Sequence, residues 1–412
     1  MSLDVLAVAG QVRQMGEDIA SAQSDLHECV RWARRLMRDN SQRHGEIKAI
    51  ITQSREARTA RASLPMEPLA THRAAPQPPP SYTCAAADGS QAEPDRHGHV
   101  SYYLINTGAA LLRYGDDPFA RFYTAPRLYY RREDLSVIEE RGEDWPPAQQ
   151  PRSAPIDAEI LAMKRSVAEV EDLARLAQDI PDDPPPLLML DGTLTLFAKS
   201  TGEDAWVVEQ LKRHYRAALD RIRALDLPVV GFISRSNATW VMDMLQVGVC
   251  QRHAESCAFC STRVDGPEKG CGLSDLRDRF LYDAMLDEPE WPPLQPGERS
   301  ALFQLSASLY KDYEANEPAM FYLNSGREIA QVQVPMWVAR RADLVDRVHA
   351  LVFAQCVNGG GYPTVLTRAH EQAIVTAADR ETLDNLVLAQ LVKLGVRVPV
   401  SEKARSKQVR GI

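Results

Sequence analysis

The chain predicts an α/β protein, and three observations carry that reading. Short apolar runs at residues 101–112, 187–197, 228–234 and 329–338 have the length of strands, and they interleave with helically spaced segments at 156–178, 204–225, 342–356 and 366–377. Two acidic tripeptides, Asp88-Gly89-Ser90 and Asp191-Gly192-Thr193, each follow an apolar run, so each carboxylate is expected at a strand end with a glycine turn behind it. A proline-rich stretch divides this region from a long N-terminal segment of a different pattern.

At the N-terminus, Val8, Val12, Met15, Ile19, Ala22, Leu26, Cys29, Ala33 and Leu36 alternate spacings of four and three. That seam fails at Asn40 and Arg43 and resumes at Ile47 and Ile50, which predicts a coiled-coil-like helix over residues 1–62. Such a seam either associates with itself, docks on a partner, or folds back on its own domain. Residues 63–80 turn to Pro, Ala and small polar residues and end in Pro78 to Pro80, the composition of a semi-rigid linker. The remaining residues, 81–412, carry the α/β pattern. The last stretch, Ser401 to Ile412, holds Lys403, Arg405, Lys407 and Arg410 and reads as a solvated basic tail or a contact for phosphate or a partner.

Composition excludes several classes. At 412 residues and 44% hydrophobic, the chain can bury a full core in one large domain or two or three smaller pieces. No apolar stretch reaches the roughly 18 residues of a membrane span, and the N-terminus lacks a signal-peptide pattern, so a cytoplasmic location is expected. Seven cysteines, odd in number and unevenly placed, suit a reducing compartment. The net charge of −8 argues against nucleic acid as a partner, although acidic groups that hold cations lower this figure while local basic patches still meet phosphate.

Two carboxylates brought together repel by about 4 kcal/mol at close range and an effective dielectric near 20, so they call for a cation or a shared proton. A divalent metal site is the chemistry this predicts. Further ligands are available in two places. The acidic helix Lys164-Arg165-Ser166-Val167-Ala168-Glu169-Val170-Glu171-Asp172 offers Glu169, unless that residue is only paired with Arg165 one turn away on a charged surface. Near the C-terminus, Gly359-Gly360-Gly361-Tyr362-Pro363 precedes a helix carrying His370, a neutral nitrogen donor that suits Mn²⁺ better than an all-oxygen site does. A separate cluster, Cys250, Cys257, Cys260 and Cys271 with His253 between them, has the thiolates for a structural Zn²⁺ or an iron-sulfur cluster, or stays as reduced thiols. Arg235, after the Gly231 to Ser234 strand, is a candidate phosphate contact or an ordinary exposed strand-end residue.

Taken in order, Ala86-Ala87-Asp88-Gly89-Ser90-Gln91, Leu188-Met189-Leu190-Asp191-Gly192-Thr193-Leu194, Gly231-Phe232-Ile233-Ser234, Pro296-Gly297-Glu298-Arg299-Ser300, and Gly361-Tyr362-Pro363 with Ala369-His370 resemble the NurA family of nucleases. The resemblance covers roughly residues 81–400. It implies a ribonuclease H-like mixed sheet flanked by helices; the N-terminal heptad helix and a cysteine-rich insert at about 248–273 depart from the family's pattern. It also implies a Mn²⁺- or Mg²⁺-dependent deoxyribonuclease that degrades from 5′ ends and cuts single strands, and a homodimer working with a HerA-like hexameric ATPase in DNA end processing. Residue by residue, it makes Asp88, Asp191, Glu169 and His370 the metal ligands and catalytic set, with Tyr362 beside them to hydrogen-bond phosphate or stack on a base. Glu171 is the alternative to Glu169. Two other readings compete. A non-catalytic adaptor of a DNA-processing assembly would use the same domain without chemistry. A phosphatase of the haloacid dehalogenase type would need its nucleophilic Asp where Met189 stands, which leaves that chemistry without an attacking group.

Overall fold

A computed structural model describes residues 5–53, 62–93, 100–140, 150–180, 184–196, 204–249, 276–284, 290–305 and 308–396. The chain divides into two compact units: residues 1–79, 192–195 and 228–364 form the first, and residues 80–191, 196–227 and 365–412 the second. Among the described residues, no helix is long and apolar enough to cross a membrane.

In the first unit, α1 (Val5–Asp39) opens the chain, followed by a 3-10 turn at Ser41–Arg43 and α2 (His44–Gln53). The heptad seam behaves differently in its two halves. Val12, Met15 and Ile19 are exposed, whereas Ala33 and Ile47 are fully buried and Leu26, Cys29 and Leu36 pack partly buried on the core; the buried face runs one residue along from the expected seam, with Val30, Met37 and Ile51 set against Trp240, Val241, Met244 and Leu245. The C-terminal half of the helix is therefore part of this unit's own core. Arg34 fixes it there: its buried guanidinium donates to the carbonyls of Leu281 at 3.1 Å, Phe280 at 3.1 Å and Asp283 at 2.6 Å. Where the seam fails, α1 ends, and Asn40 turns its amide back to the Leu36 carbonyl at 2.9 Å.

The first unit's sheet corrects the expectation of a linker at residues 63–80. β1 (Ser63–Pro65) is buried and pairs antiparallel with β11 (Phe303–Leu305), and β2 (Arg73–Ala74) pairs with β10 (Glu298–Arg299). Glu67, between them, accepts from the Arg299 guanidinium at 2.7 and 3.2 Å and from the Leu302 amide at 2.9 Å. Proline content signalled a lack of helix, not a lack of structure, because short edge strands tolerate proline. The sheet continues from β11 through β12 (Pro318–Asn324) and β13 (Ile329–Pro335) to β9 (Val229–Ile233), all antiparallel. The strand expected at 329–338 stops at Pro335, where α6 (Met336–Ala339) begins; α5 (Trp240–Val249) and α7 (Ala342–Asn358) complete the unit.

The second unit holds a mixed sheet in the order β8-β3-β4-β5. β3 (Tyr82–Ala92), β4 (Tyr103–Tyr114) and β5 (Phe119–Tyr129) form an antiparallel meander, and β8 (Pro186–Asp191) lies parallel to β3 on its other side. α3 (Ala158–Asp179) and α4 (Ala205–Ala224) pack together, and α3 lies against β3 and β4, so the sheet is mixed and flanked by helices as the ribonuclease H-like expectation requires. α3 starts where Asp157 accepts from the Ile160 amide at 2.7 Å, a side-chain N-cap. β6 (Ser136–Ile138) and β7 (Ser153–Pro155) make a small antiparallel ribbon. The helix expected at 366–377 is two: α8 (Thr364–Ala373) ends before Thr376, which opens α9 (Ala377–Lys393) through a capping box with Asp379.

Candidate active site

The two Asp-Gly dipeptides, alike in sequence, serve different purposes. Gly192 has φ of 100° and does turn the chain after Asp191, which ends β8 there and cuts short the strand expected to reach 197. Asp88, in contrast, stands inside β3, which keeps its register with β4 from Tyr82–Tyr114 to Ala92–Leu104 without a break. The expected turn after Asp88 is absent. Gly89 is needed for clearance: a Cβ there would lie 2.6 Å from Oε1 of Glu169 and 2.9 Å from Cγ of Arg165. The bare glycine lets α3 bring both side chains against the strand.

Register places the acids. Ala87 pairs with Leu190 in the parallel β3–β8 ladder, so Asp88 and Asp191 follow at matching positions on strands about 4.8 Å apart. Because side chains alternate, Gly89 faces α3 and Asp88 faces the opposite side, where α8 lies. There, Nδ1 of His370 sits 2.6 Å from Oδ2 of Asp88, while Oδ1 accepts from the Gly89 amide at 2.8 Å. The imidazole is 62% exposed and the carboxylate 15%.

Glu169 joins from the α3 side, ion-paired with Arg165 at 3.1 Å. Burial pushes its carboxyl up to about 8; the Arg165 guanidinium opposes this, and the charges of Asp88 and Asp191 add to it. That mutual influence gathers the three carboxylates into one electrostatic cluster. Glu171 points elsewhere, acting on Arg127 and Tyr129 of β5. A carboxyl held near 8 in the fold and about 4.5 in the unfolded chain leaves the folded state binding the extra proton between those values. Stability should therefore fall as pH rises from about 4.5 to 8 in EDTA, and Glu169→Gln should flatten that slope in thermal melts; an unchanged slope in the variant would contradict the burial described.

What holds α8 over Asp88 is a feature that motif reading missed. Gly108 of β4, the direct partner of Asp88, has no room for a side chain: a Cβ would meet the backbone nitrogen of Ala373, the Gln372 carbonyl carbon at 2.5 Å and the Ala369 oxygen at 2.6 Å. The C-terminal carbonyls of α8 are then satisfied from the sheet, Gln372 and Ala373 by the Asn106 amide at 3.1 and 2.8 Å, and Ala373 also by the Ser90 hydroxyl at 2.5 Å. A glycine inside the apolar 101–112 run was the available signal. Gly108→Ala should lift α8, cost about 1–3 kcal/mol of overpacking, and break the His370–Asp88 hydrogen bond. Amide exchange in α8 and the His370 imidazole NMR signal would report it, and wild-type values for both would refute it.

A family model described as the NurA domain matches residues 82–375. The chain belongs to the NurA family. No curated protein matches it. Among solved structures, the NurA nuclease from Sulfolobus solfataricus is similar at 12% identity and a TM-score of 0.49, over 92% of this chain and 98% of that one. Membership in the NurA family supports a nuclease role, and Asp88, Glu169, Asp191 and His370 all lie within the matched span.

Tyr362 belongs to the first unit, its ring packed edge-on to Phe232 at 5.4 Å. Arg235 is in the same unit, exposed, with a left-handed φ of 44° and its carbonyl taken by Arg279 at 2.8 Å. Cys250, Cys257, Cys260, Cys271 and His253 lie outside the described residues, as does the basic tail from Ser401. Met189, at the place of the phosphatase nucleophile, is fully buried in β8.

The donor set is right for a hard divalent cation, three carboxylates and one imidazole. As they stand, Asp88 is turned to His370 and Glu169 to Arg165, and among the described residues no three donors enclose a single point. Arg165 balances the charge of Glu169, and the Gly89 clearance gives Glu169 its access.

Proposed function

We propose that this NurA family protein is a metal-dependent deoxyribonuclease using Mn²⁺ or Mg²⁺, with 5′ to 3′ exonuclease and single-strand endonuclease activity. The observation that carries the reading is the Asp88–His370 hydrogen bond, with Glu169 under the influence of the Asp88 and Asp191 charges, all in one unit and inside the family-matched span. Asp88, Asp191 and Glu169 would hold the cation, with His370 as nitrogen donor. Bound there, it would lower the pKa of water and neutralise charge on the scissile phosphate. The chain's own part is to fix these donors on a rigid sheet: Asp88 and Asp191 at matching positions of parallel strands, Glu169 through the gap at Gly89, His370 through the anchored end of α8. Tyr362 and Arg235 are proposed as DNA contacts, and a structural Zn²⁺ or iron-sulfur cluster is proposed for the four clustered cysteines. A homodimer fed by a HerA-like hexameric ATPase would account for processive action by a net acidic chain.

The adaptor reading draws on one observation, the engagement of Asp88 and Glu169 with His370 and Arg165 instead of with one another. Purified protein incubated with end-labelled single- and double-stranded DNA and Mn²⁺, with and without EDTA, separates the two. The nuclease reading expects cleavage that EDTA stops. No cleavage under any divalent cation leaves the adaptor.

A further inference from the structure

The outer strand of the second unit's sheet has a composition unlike the rest of the chain. Between Pro118 and Arg132 stand Arg121, Arg127, Arg131 and Arg132 with Phe119, Phe122, Tyr123, Tyr129 and Tyr130, and no acidic residue, in a chain of net charge −8. β5 pairs with β4 along its length, and most of its side chains are exposed on both faces. Phe122 is 46%, Tyr123 42% and Tyr130 57% exposed. Arg121 lies over the Phe119 ring at 5.0 Å.

Rings and guanidiniums on an outer strand have three ordinary explanations: core packing, pairing with another strand edge, or contact with a polyanion. Exposure removes the first for Phe122, Tyr123 and Tyr130. Self-pairing is opposed by the sequence. An antiparallel two-fold pairing centred on Thr124 would set Arg121 against Arg127 of the second copy, and Pro126 lacks the N–H a ladder needs. Acids flank the strand without interrupting it: Asp116 and Asp117 precede it, Glu133 and Asp134 follow it, and Asp134 is engaged by the Tyr130 and Arg131 amides. Arg127 is bound to Asp172 at 2.7 Å, and Arg131, just past the strand, is balanced by Glu133 and Asp134, so the outward positive charge of the strand itself comes from Arg121.

We infer that β5 is a binding surface for single-stranded DNA, with exposed rings as stacking platforms and arginines on the backbone. Phe119, Arg121 and Tyr123 share one face of the strand at intervals of about 6.8 Å, roughly twice the 3.4 Å rise of stacked duplex bases, which fits unstacked nucleotides. Base stacking on aromatic side chains tolerates any sequence, as degradation requires. The middle of β5 is two strands, about 10 Å, from β3; Tyr123 pairs with Ala109 and Ala109 with Ala87, so Phe119, Arg121 and Tyr123 line the α3 side of the sheet, the side on which Glu169 lies, and the Asp88 side chain is on the other. This inference rests on the nuclease reading for its purpose, and its test does not depend on cleavage.

The test is anisotropy of fluorescein-labelled dT20 with the full chain in EDTA. Arg121→Glu and Tyr123→Ala should each weaken binding about tenfold, and Arg121→Ala should lower the slope of log affinity against log salt by about 0.7. A duplex of equal length should lose less than threefold with Tyr123→Ala. Unchanged dT20 affinity, or an equal loss for the duplex, overturns the proposal. So does a change only in sedimentation, which would make the edge a protein interface. Failure of the nuclease reading would show instead as absent Mn²⁺-dependent cleavage by wild-type protein that still binds dT20.

Discussion

Asp88→Ala and Asp191→Asn should each abolish DNA cleavage, a loss of at least about a thousandfold or roughly 4 kcal/mol of transition-state stabilisation, while leaving the protein folded. The size follows from position. Asp88 is the point where the contributions meet, hydrogen-bonded to His370, next to the clearance that admits Glu169, and level with Asp191 on the neighbouring strand. Removing it takes away a ligand and leaves the imidazole unanchored. Asp191 is the exposed last residue of β8, so an amide there keeps the shape and removes only the charge. Initial rates on labelled DNA with Mn²⁺ supplied, alongside circular dichroism of each variant, decide the matter. Activity within tenfold of wild type in either would refute the assignment.

Glu67→Ala should destabilise the first unit by about 3–5 kcal/mol, the range for leaving a buried charge without its partner. Arg299 is 2% exposed, and Glu67 is its carboxylate. Although burial raises the Glu67 carboxyl, the two bonds from Arg299 outweigh it and hold the group below its ordinary value. The same side chain also accepts the Leu302 amide, so its loss strands a backbone donor as well. Opening free energies from amide exchange in β1 and β11 measure the effect directly. A change under 1 kcal/mol would mean that Arg299 finds another partner.

How far this was legible in the sequence depends on the range of the interaction concerned. Apolar runs located β4, β8, β9 and β13 within a few residues, because strand length and burial are local properties. The turn at Gly192 was legible for the same reason. The identical-looking Gly89 was not, since its purpose is set by Arg165 and Glu169, some eighty residues later, pressing on it from α3. Glu67 illustrates the same limit: in a proline-rich stretch it looks like a solvated charge, and only the distant Arg299 gives it a structural role. Residue types at the candidate site could be proposed from motifs. The features that set their geometry, Gly108, Asn106 and Ser90 beneath α8, carry no chemistry of their own and left little trace in any motif.

His370 comes late in the chain. A ribosome releases Asp88, Glu169 and Asp191 well before it makes α8, and the carbonyls that Asn106 and Ser90 hold do not yet exist. An unfinished polypeptide therefore carries the acids without their imidazole. On the proposed function, synthesis itself withholds hydrolytic capacity until α8 has been translated, which protects a cell from products truncated before it.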